Sequence, residues 1–224
     1  MNTSKLLKGD NVRKSRLHDE KGNFVGFKNL IVNGVPAFFS GFSRVLFNKR
    51  PEKPWISYNA IRVLENHLGP NSRVLEFGSG MSTIWYARHA GKVFSIENDS
   101  GWYEMLTKIM NGKNLRNVTY QFADNKESYI SFGSSESEGF DLIMVDGSFR
   151  SDCIERSLQL LKPGGIIYLD NADKDSGDAG GDMRIAENRL REFVKEKGAE
   201  LFEFTDFAPT QLFVQQGILV KTKR

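Results

Sequence analysis

The chain reads as a doubly wound α/β protein: five parallel strands, a C-terminal antiparallel hairpin and an N-terminal cap. Three observations predict this. From Arg73 onward, short β-type runs alternate with helical stretches. An apolar strand runs straight into a Gly-Ser-Gly turn and then a helix. The last two strand-like runs are separated by too few residues for a crossover helix, so they must pair antiparallel at the sheet edge.

Taken in order, residues 73–77, 92–97, 117–123, 140–145 and 165–170 form the parallel strands, each apolar enough to be buried on both faces. Helices over 82–90, 101–110, 126–132 and 150–161 have lengths that suit right-handed crossovers. A helix over 184–197 and strands over 201–207 and 211–221 complete the chain. Upstream of a helix at 57–68, residues 1–55 show no long period and form a cap or arm on a 56–224 domain. Two loops are poor in apolar residues and are expected to be mobile: GSSESEG at 133–139 and DKDSGDAGGD at 173–182. The second follows a central strand's C-terminal end, where open α/β sheets bind ligands, and is expected to act as a lid.

A length of 224 residues buries one substantial core, and the 17 phenylalanines argue against disorder. The lone cysteine, Cys153, excludes an intramolecular disulfide, and the basic start lacks a secretory apolar run, which fits a cytoplasmic protein. No apolar run approaches the ~20 residues that cross a bilayer. Residues 1–55 hold 11 Lys or Arg against 4 Asp or Glu, whereas the remainder is net acidic. Such a front suits an acidic substrate, nucleic acid or a membrane surface, and equally a solvated basic arm.

In VLEFGSGMST, Gly78, Ser79 and Gly80 let the backbone turn and approach a ligand without Cβ obstruction. By itself this loop is shared with dinucleotide-binding dehydrogenases. Its surroundings are more specific. Glu76 precedes it, Glu97 ends the second strand where a carboxylate can accept ribose hydroxyls, and Asp124 ends the third. Thr83 stands where a dehydrogenase loop carries its third glycine.

With FDLIMVDG, LKPGGIIYLDN and the terminal hairpin, residues 55–222 resemble the class I S-adenosylmethionine-dependent methyltransferases, a Rossmann-like family. The resemblance implies S-adenosylmethionine as cofactor. It brings Gly78, Ser79 and Gly80 to the aminoacyl and ribose parts, Glu97 to the ribose hydroxyls, Asp124 to the adenine amino group and Glu76 to the methionyl end. Ser82, Thr83, Asn98, Trp102 and Asp146 complete the expected cofactor site, Trp102 because it follows the ribose-binding strand end.

Asp146 and the Asp170-Asn171 pair end the fourth and fifth strands and resemble the magnesium ligands of catechol-type O-methyltransferases. Oxygen donors of this kind suit a hard cation, which would acidify and orient an acceptor hydroxyl. Asp and Asn are also ordinary turn and cap residues at strand ends, so liganding and capping stay open. Phe149 occupies the place of the usual lysine base, and Arg150, next to it, is a poor base but suits an anionic substrate. Deprotonation would then fall to Asp173, another loop carboxylate or metal-bound hydroxide, and Asp146, Arg150 and Asp173 are the catalytic candidates. Asp175, Asp178 and Asp182 lack the EF-hand spacing and terminal Glu.

His18, His67 and His89 are too scattered for zinc or a serine triad, and Cys153 reads as a buried thiol. Trp55, Tyr58, Trp85 and Tyr103, like Trp102, could line a pocket for a flat substrate or stack on adenine, but most read as packing residues. The expected activity is O-methylation of a small-molecule or saccharide hydroxyl. An RNA methyltransferase, a catalytically idle cofactor-binding protein and an NAD-dependent oxidoreductase are the alternatives.

Overall fold

A computed structural model describes residues 12–224. The first eleven residues of the expected basic arm lie outside the described residues. Strands β1 (Arg73–Phe77), β2 (Lys92–Glu97), β3 (Val118–Phe122), β4 (Phe140–Val145), β5 (Leu161–Leu169), β6 (Glu200–Phe207) and β7 (Val214–Lys221) form one sheet in the order β3-β2-β1-β4-β5-β7-β6. The first five run parallel. β7 inserts antiparallel between β5 and β6, with Leu169 opposite Ile218 and Phe207 opposite Val214. The expected hairpin is thus present, and strand order reverses between β1 and β4.

Alternating side chains divide the core into two layers. Leu75, Phe77, Ile143, Val145 and Ile167 pack against α6 (Lys126–Ile130), α7 (Arg150–Leu160) and α8 (Asp182–Lys197). Val74, Val93, Leu142 and Met144 pack on the other face against α3 (Tyr58–His67) and α4 (Met81–His89). Helix α5 (Ser100–Lys113) adds Leu106 and Met110 to Met81 and Ile84.

Strand β3 departs from the expectation of burial on both faces. It is the sheet edge, and its VTYQF alternates half-buried and exposed positions. β5 begins earlier than expected, at Leu161, which pairs with Phe140 before a register shift absorbs the Lys-Pro-Gly-Gly turn.

The segment before α3 is more regular than its sequence suggests. Helices α1 (Phe27–Val32) and α2 (Gly34–Phe47) lie against the β6–β7 end of the sheet. Buried Asn33 joins them. It donates to Asp206 at 2.8 Å and accepts from Arg62 at 2.8 Å, and Asp206 also accepts from the Ser57 hydroxyl at 3.1 Å. The amphipathic signal is inverted: Ala37 and Gly41 face the protein while the phenylalanines face outward. A periodicity argument that sends large apolar residues inward misses such a helix.

Candidate active site

The crevice where strand order reverses is built by two backbone turns that nearly touch. Gly78 has φ +95°, and a Cβ placed there would stand 2.6 Å from Cα of Gly147, which follows β4. A side chain at Gly147 would in turn meet the Tyr129 hydroxyl at 2.0 Å. These glycines are therefore required by chain crossing, independent of any ligand.

Glu76 is fully buried directly beneath the loop. Its carboxylate accepts from the hydroxyls of Ser82 (2.5 Å), Thr83 (2.5 Å) and Ser95 (2.6 Å). Burial pushes its pKa up to about 7, with the three hydroxyls acting in the opposite direction. The first turn of α4 is thus tied to β1 and β2, and Glu76 acts on the loop from below.

Glu97 ends β2 and is 7% exposed. One oxygen accepts from the Ser79 amide (3.1 Å) and hydroxyl (2.8 Å), the other from the amides of Asn98 and Asp99, both at 2.9 Å. Trp102 Nε1 donates to the Ser79 carbonyl at 2.8 Å, and Asp99 caps α5 through the Trp102 amide. Asn98 bridges to the Ser148 hydroxyl at 3.1 Å, linking the β2 and β4 ends. Asp124 lies exposed beyond β3 and accepts from Asn125 at 2.7 Å. Trp55, Ser79, Gly80, Met81, Ser82, Trp102 and Asp146 line one cleft.

Asp146 lines this cleft with its side chain 34% exposed, whereas Asp170 is 2% exposed. Burial raises both carboxyls above the usual range, and Arg150 opposes this; Asp170 is raised further by the charge of Asp146. Arg150 sits among all three expected metal ligands. Its guanidinium donates to the main-chain oxygens of Asp170, Asp146 (3.2 Å) and Gly147 (2.9 Å), and reaches Oδ1 of Asp146 and of Asn171, both at 3.4 Å. Asn171 reaches this place in left-handed backbone, at φ 53°. The Asp170 carboxylate meets Gln215 Nε2 at 3.3 and 3.4 Å.

A permanently charged guanidinium lies 3.4 Å from Oδ1 of Asp146 and of Asn171, two of the three expected ligand oxygens, whereas at Asp170 it meets the main-chain oxygen and leaves the carboxylate to Gln215. Magnesium requires near-octahedral oxygen ligation, so Arg150 competes with a divalent ion at Asp146 and Asn171. Among the described residues, no three His, Cys, Asp or Glu side chains gather into a metal-holding group.

The catalytic candidate Asp173 is wholly buried, with one oxygen accepting the Gln216 amide and the other the Glu20 amide, both at 3.1 Å. Those bonds fasten the N-terminal segment to β7. At the other end of the 173–182 loop, Asp182 accepts from the amides of Arg150 (2.7 Å) and Ser151 (3.0 Å). The 133–139 loop lies away from this crevice, with Glu136 pairing Arg73 at the start of β1.

His67 and His89 bond separate carbonyls, and His18 meets the Ser15 hydroxyl. Cys153 is buried, and desolvation drives its thiol well above its ordinary pKa. Trp85 is buried and stacks on His89, while Tyr103 stacks on Tyr120. One residue beside the site, Gln215, is absent from the sequence-based expectations. Gln215 was signalled only by a polar pair interrupting the apolar strand FVQQGILV. Trp55 lines the cleft, and its buried Nε1 has no hydrogen-bond partner among the described residues.

No family model matches the chain, and no curated protein matches it. Solved structures do. An O-methyltransferase from Bacillus cereus in complex with SAH superposes with a TM-score of 0.62 at 18% identity, covering 84% of this chain and 91% of that one. The O-methyltransferase TomG from Streptomyces achromogenes, which is involved in tomaymycin synthesis and was solved with SAM, gives 0.60 at 16% identity over 99% and 94%. An rRNA methylase from Streptococcus thermophilus gives 0.55 at 14% identity over 79% and 98%. The chain has the Rossmann-like class I methyltransferase fold.

Proposed function

We propose that this protein is a cytoplasmic S-adenosylmethionine-dependent methyltransferase acting on a hydroxyl of a small molecule or saccharide. The observation that carries the reading is the crevice itself. The glycine loop, the Glu97–Ser79 clamp and Asp146 converge at the reversal of strand order, the place where open α/β sheets bind ligands. The fold is shared with proteins whose structures contain SAM or SAH. No helix of the described residues is long and apolar enough to cross a membrane.

S-Adenosylmethionine, when bound, supplies an electrophilic methyl group. The chain's own residues supply position and charge. Ser79 and Gly80 present backbone to the ligand, and Glu97 fixes that backbone through Ser79. Trp102 holds the loop's far side, and Asp124 offers an exposed acceptor for an amino group. In this reading Asp146, whose carboxylate lines the cleft, takes the acceptor's proton. Arg150 holds Asp146 and Asn171 in place and supplies the positive charge there; no step is assigned to a metal.

The test is calorimetric titration with S-adenosylhomocysteine and with NAD, followed by transfer of labelled methyl to a panel of saccharides, phenols and RNA. Binding of S-adenosylhomocysteine that weakens in Asp124→Ala, with label on a hydroxyl, supports the reading. Binding of NAD alone replaces it with an oxidoreductase, and cofactor binding without transfer to any acceptor leaves a binding protein. The basic front and the likeness to an rRNA methylase favour RNA as the second acceptor class.

A further inference from the structure

We propose that the outer face of α1 and α2 is a docking surface for an anionic lipid bilayer. Helix α2 is packed with its small residues inward. A Cβ at Gly34 would touch the Phe207 ring at 3.4 Å, Ala37 is buried, and a Cβ at Gly41 would stand 3.1 Å from the Leu212 side chain. These positions share one face at helical spacing. The opposite face carries large side chains. Val35, Phe39, Phe42 and Leu46, together with Phe27 and Ile31 of α1, are between 52% and 78% exposed. An apolar surface of that extent on one side of a folded chain marks a place where something else sits.

Charge identifies the occupant. Residues 22–51 contain Lys28, Arg44, Lys49 and Arg50 and no Asp or Glu, whereas Lys21 just before them pairs with Glu187 at 2.8 Å. Lys28 and Lys49 are exposed on the same two-helix unit and its exit. Arg44 and Arg50 lie over the Trp55 and Trp102 rings at 4.7 and 5.2 Å. Glu52, the next acid along the chain, is engaged by Lys113 at 2.5 Å and by Arg88.

Apolar side chains flanked by lysine and arginine are what an interfacial helix presents to anionic headgroups. A second copy of the chain fits less well. A two-fold interface would set this cationic segment against itself with no carboxylate within it to pair. Because Trp55 and Trp102 line the cleft, a bound bilayer would lie beside the cleft mouth.

The experiment is vesicle flotation of the full chain with phosphatidylcholine alone and with phosphatidylcholine–phosphatidylglycerol mixtures, alongside light scattering for mass. The protein is expected to float with the anionic vesicles and to be released by salt. Lys28→Gln and Lys49→Gln should each lower partitioning about fivefold, and Phe39→Asp or Leu46→Asp should abolish it. These side chains are exposed, and an unchanged circular dichroism melt in each variant excludes misfolding. Failure to float, equal binding to neutral and anionic vesicles, or a dimer in solution that Phe39→Asp dissociates would overturn the proposal. None of these outcomes depends on methyl transfer.

Discussion

Gly78 and Gly147 hold the ends of β1 and β4 in backbone contact: a Cβ on Gly78 would lie 2.6 Å from Cα and N of Gly147. Gly78→Ala combines this clash with a left-handed backbone and should cost about 3 kcal/mol of stability. Gly147→Ala should cost at least as much, through the Tyr129 hydroxyl. Denaturant titration of both, each with and without Tyr129→Phe, checks the geometry. Tyr129→Phe should partly rescue Gly147→Ala and leave Gly78→Ala unrescued; equal rescue of both would contradict the contact.

Glu76 makes stability depend on pH. Its pKa rises to about 7 in the folded state from the ordinary 4.5, so the folded chain binds a proton that the unfolded chain releases between those values. The resulting stabilisation is fully present below pH 4.5 and is lost as pH rises through 7, a difference on the order of 3 kcal/mol. Melting temperature of the wild type should therefore fall relative to Glu76→Gln between pH 5 and 8 (about neutral pH). Parallel curves for the two proteins would place the proton elsewhere.

Arg150 joins the ends of β4 and β5 through Asp146, Asp170 and Asn171. Removing it leaves two raised carboxyls without their cation, at a cost of about 3–5 kcal/mol. Arg150→Lys keeps the charge and loses the fork, so it should retain more stability than Arg150→Ala while losing turnover. A chelator should leave the wild-type rate unchanged. A wild-type rate that vanishes on chelation and returns with magnesium would show that the oxygens ligate metal after all.

Trp102 reports on the glycine loop through its bond to the Ser79 carbonyl. Titration with S-adenosylhomocysteine should change tryptophan fluorescence, and Trp102→Phe should remove most of that change and weaken binding about fivefold, the worth of one hydrogen bond. Trp85→Phe, buried against His89, should alter neither. If Trp85→Phe removes the signal instead, the ligand does not bind beside Ser79.

Local patterns made the sheet, the glycine loop and the reversed last strand readable in the sequence. Buried parallel strands show as apolar runs, a tight turn demands glycine, and a link as short as that between Phe207 and Val214 cannot hold a crossover helix. The same locality brought Gly78, Glu97 and Asp146 to one crevice, because all three end strands of a sheet whose order follows from its connections.

Tertiary structure alone decided how individual polar groups are spent. Asp173 follows a strand end like Asp146, yet it closes on the amides of Glu20 and Gln216, and Arg150 lies among oxygens from two strand ends. Likewise α2 turns its small residues inward because only they fit against Phe207 and Leu212. These outcomes depend on desolvation and close packing between segments far apart in the chain. Residue type and spacing carry no record of which distant atoms fill a carboxylate's hydrogen bonds or a helix's contact face.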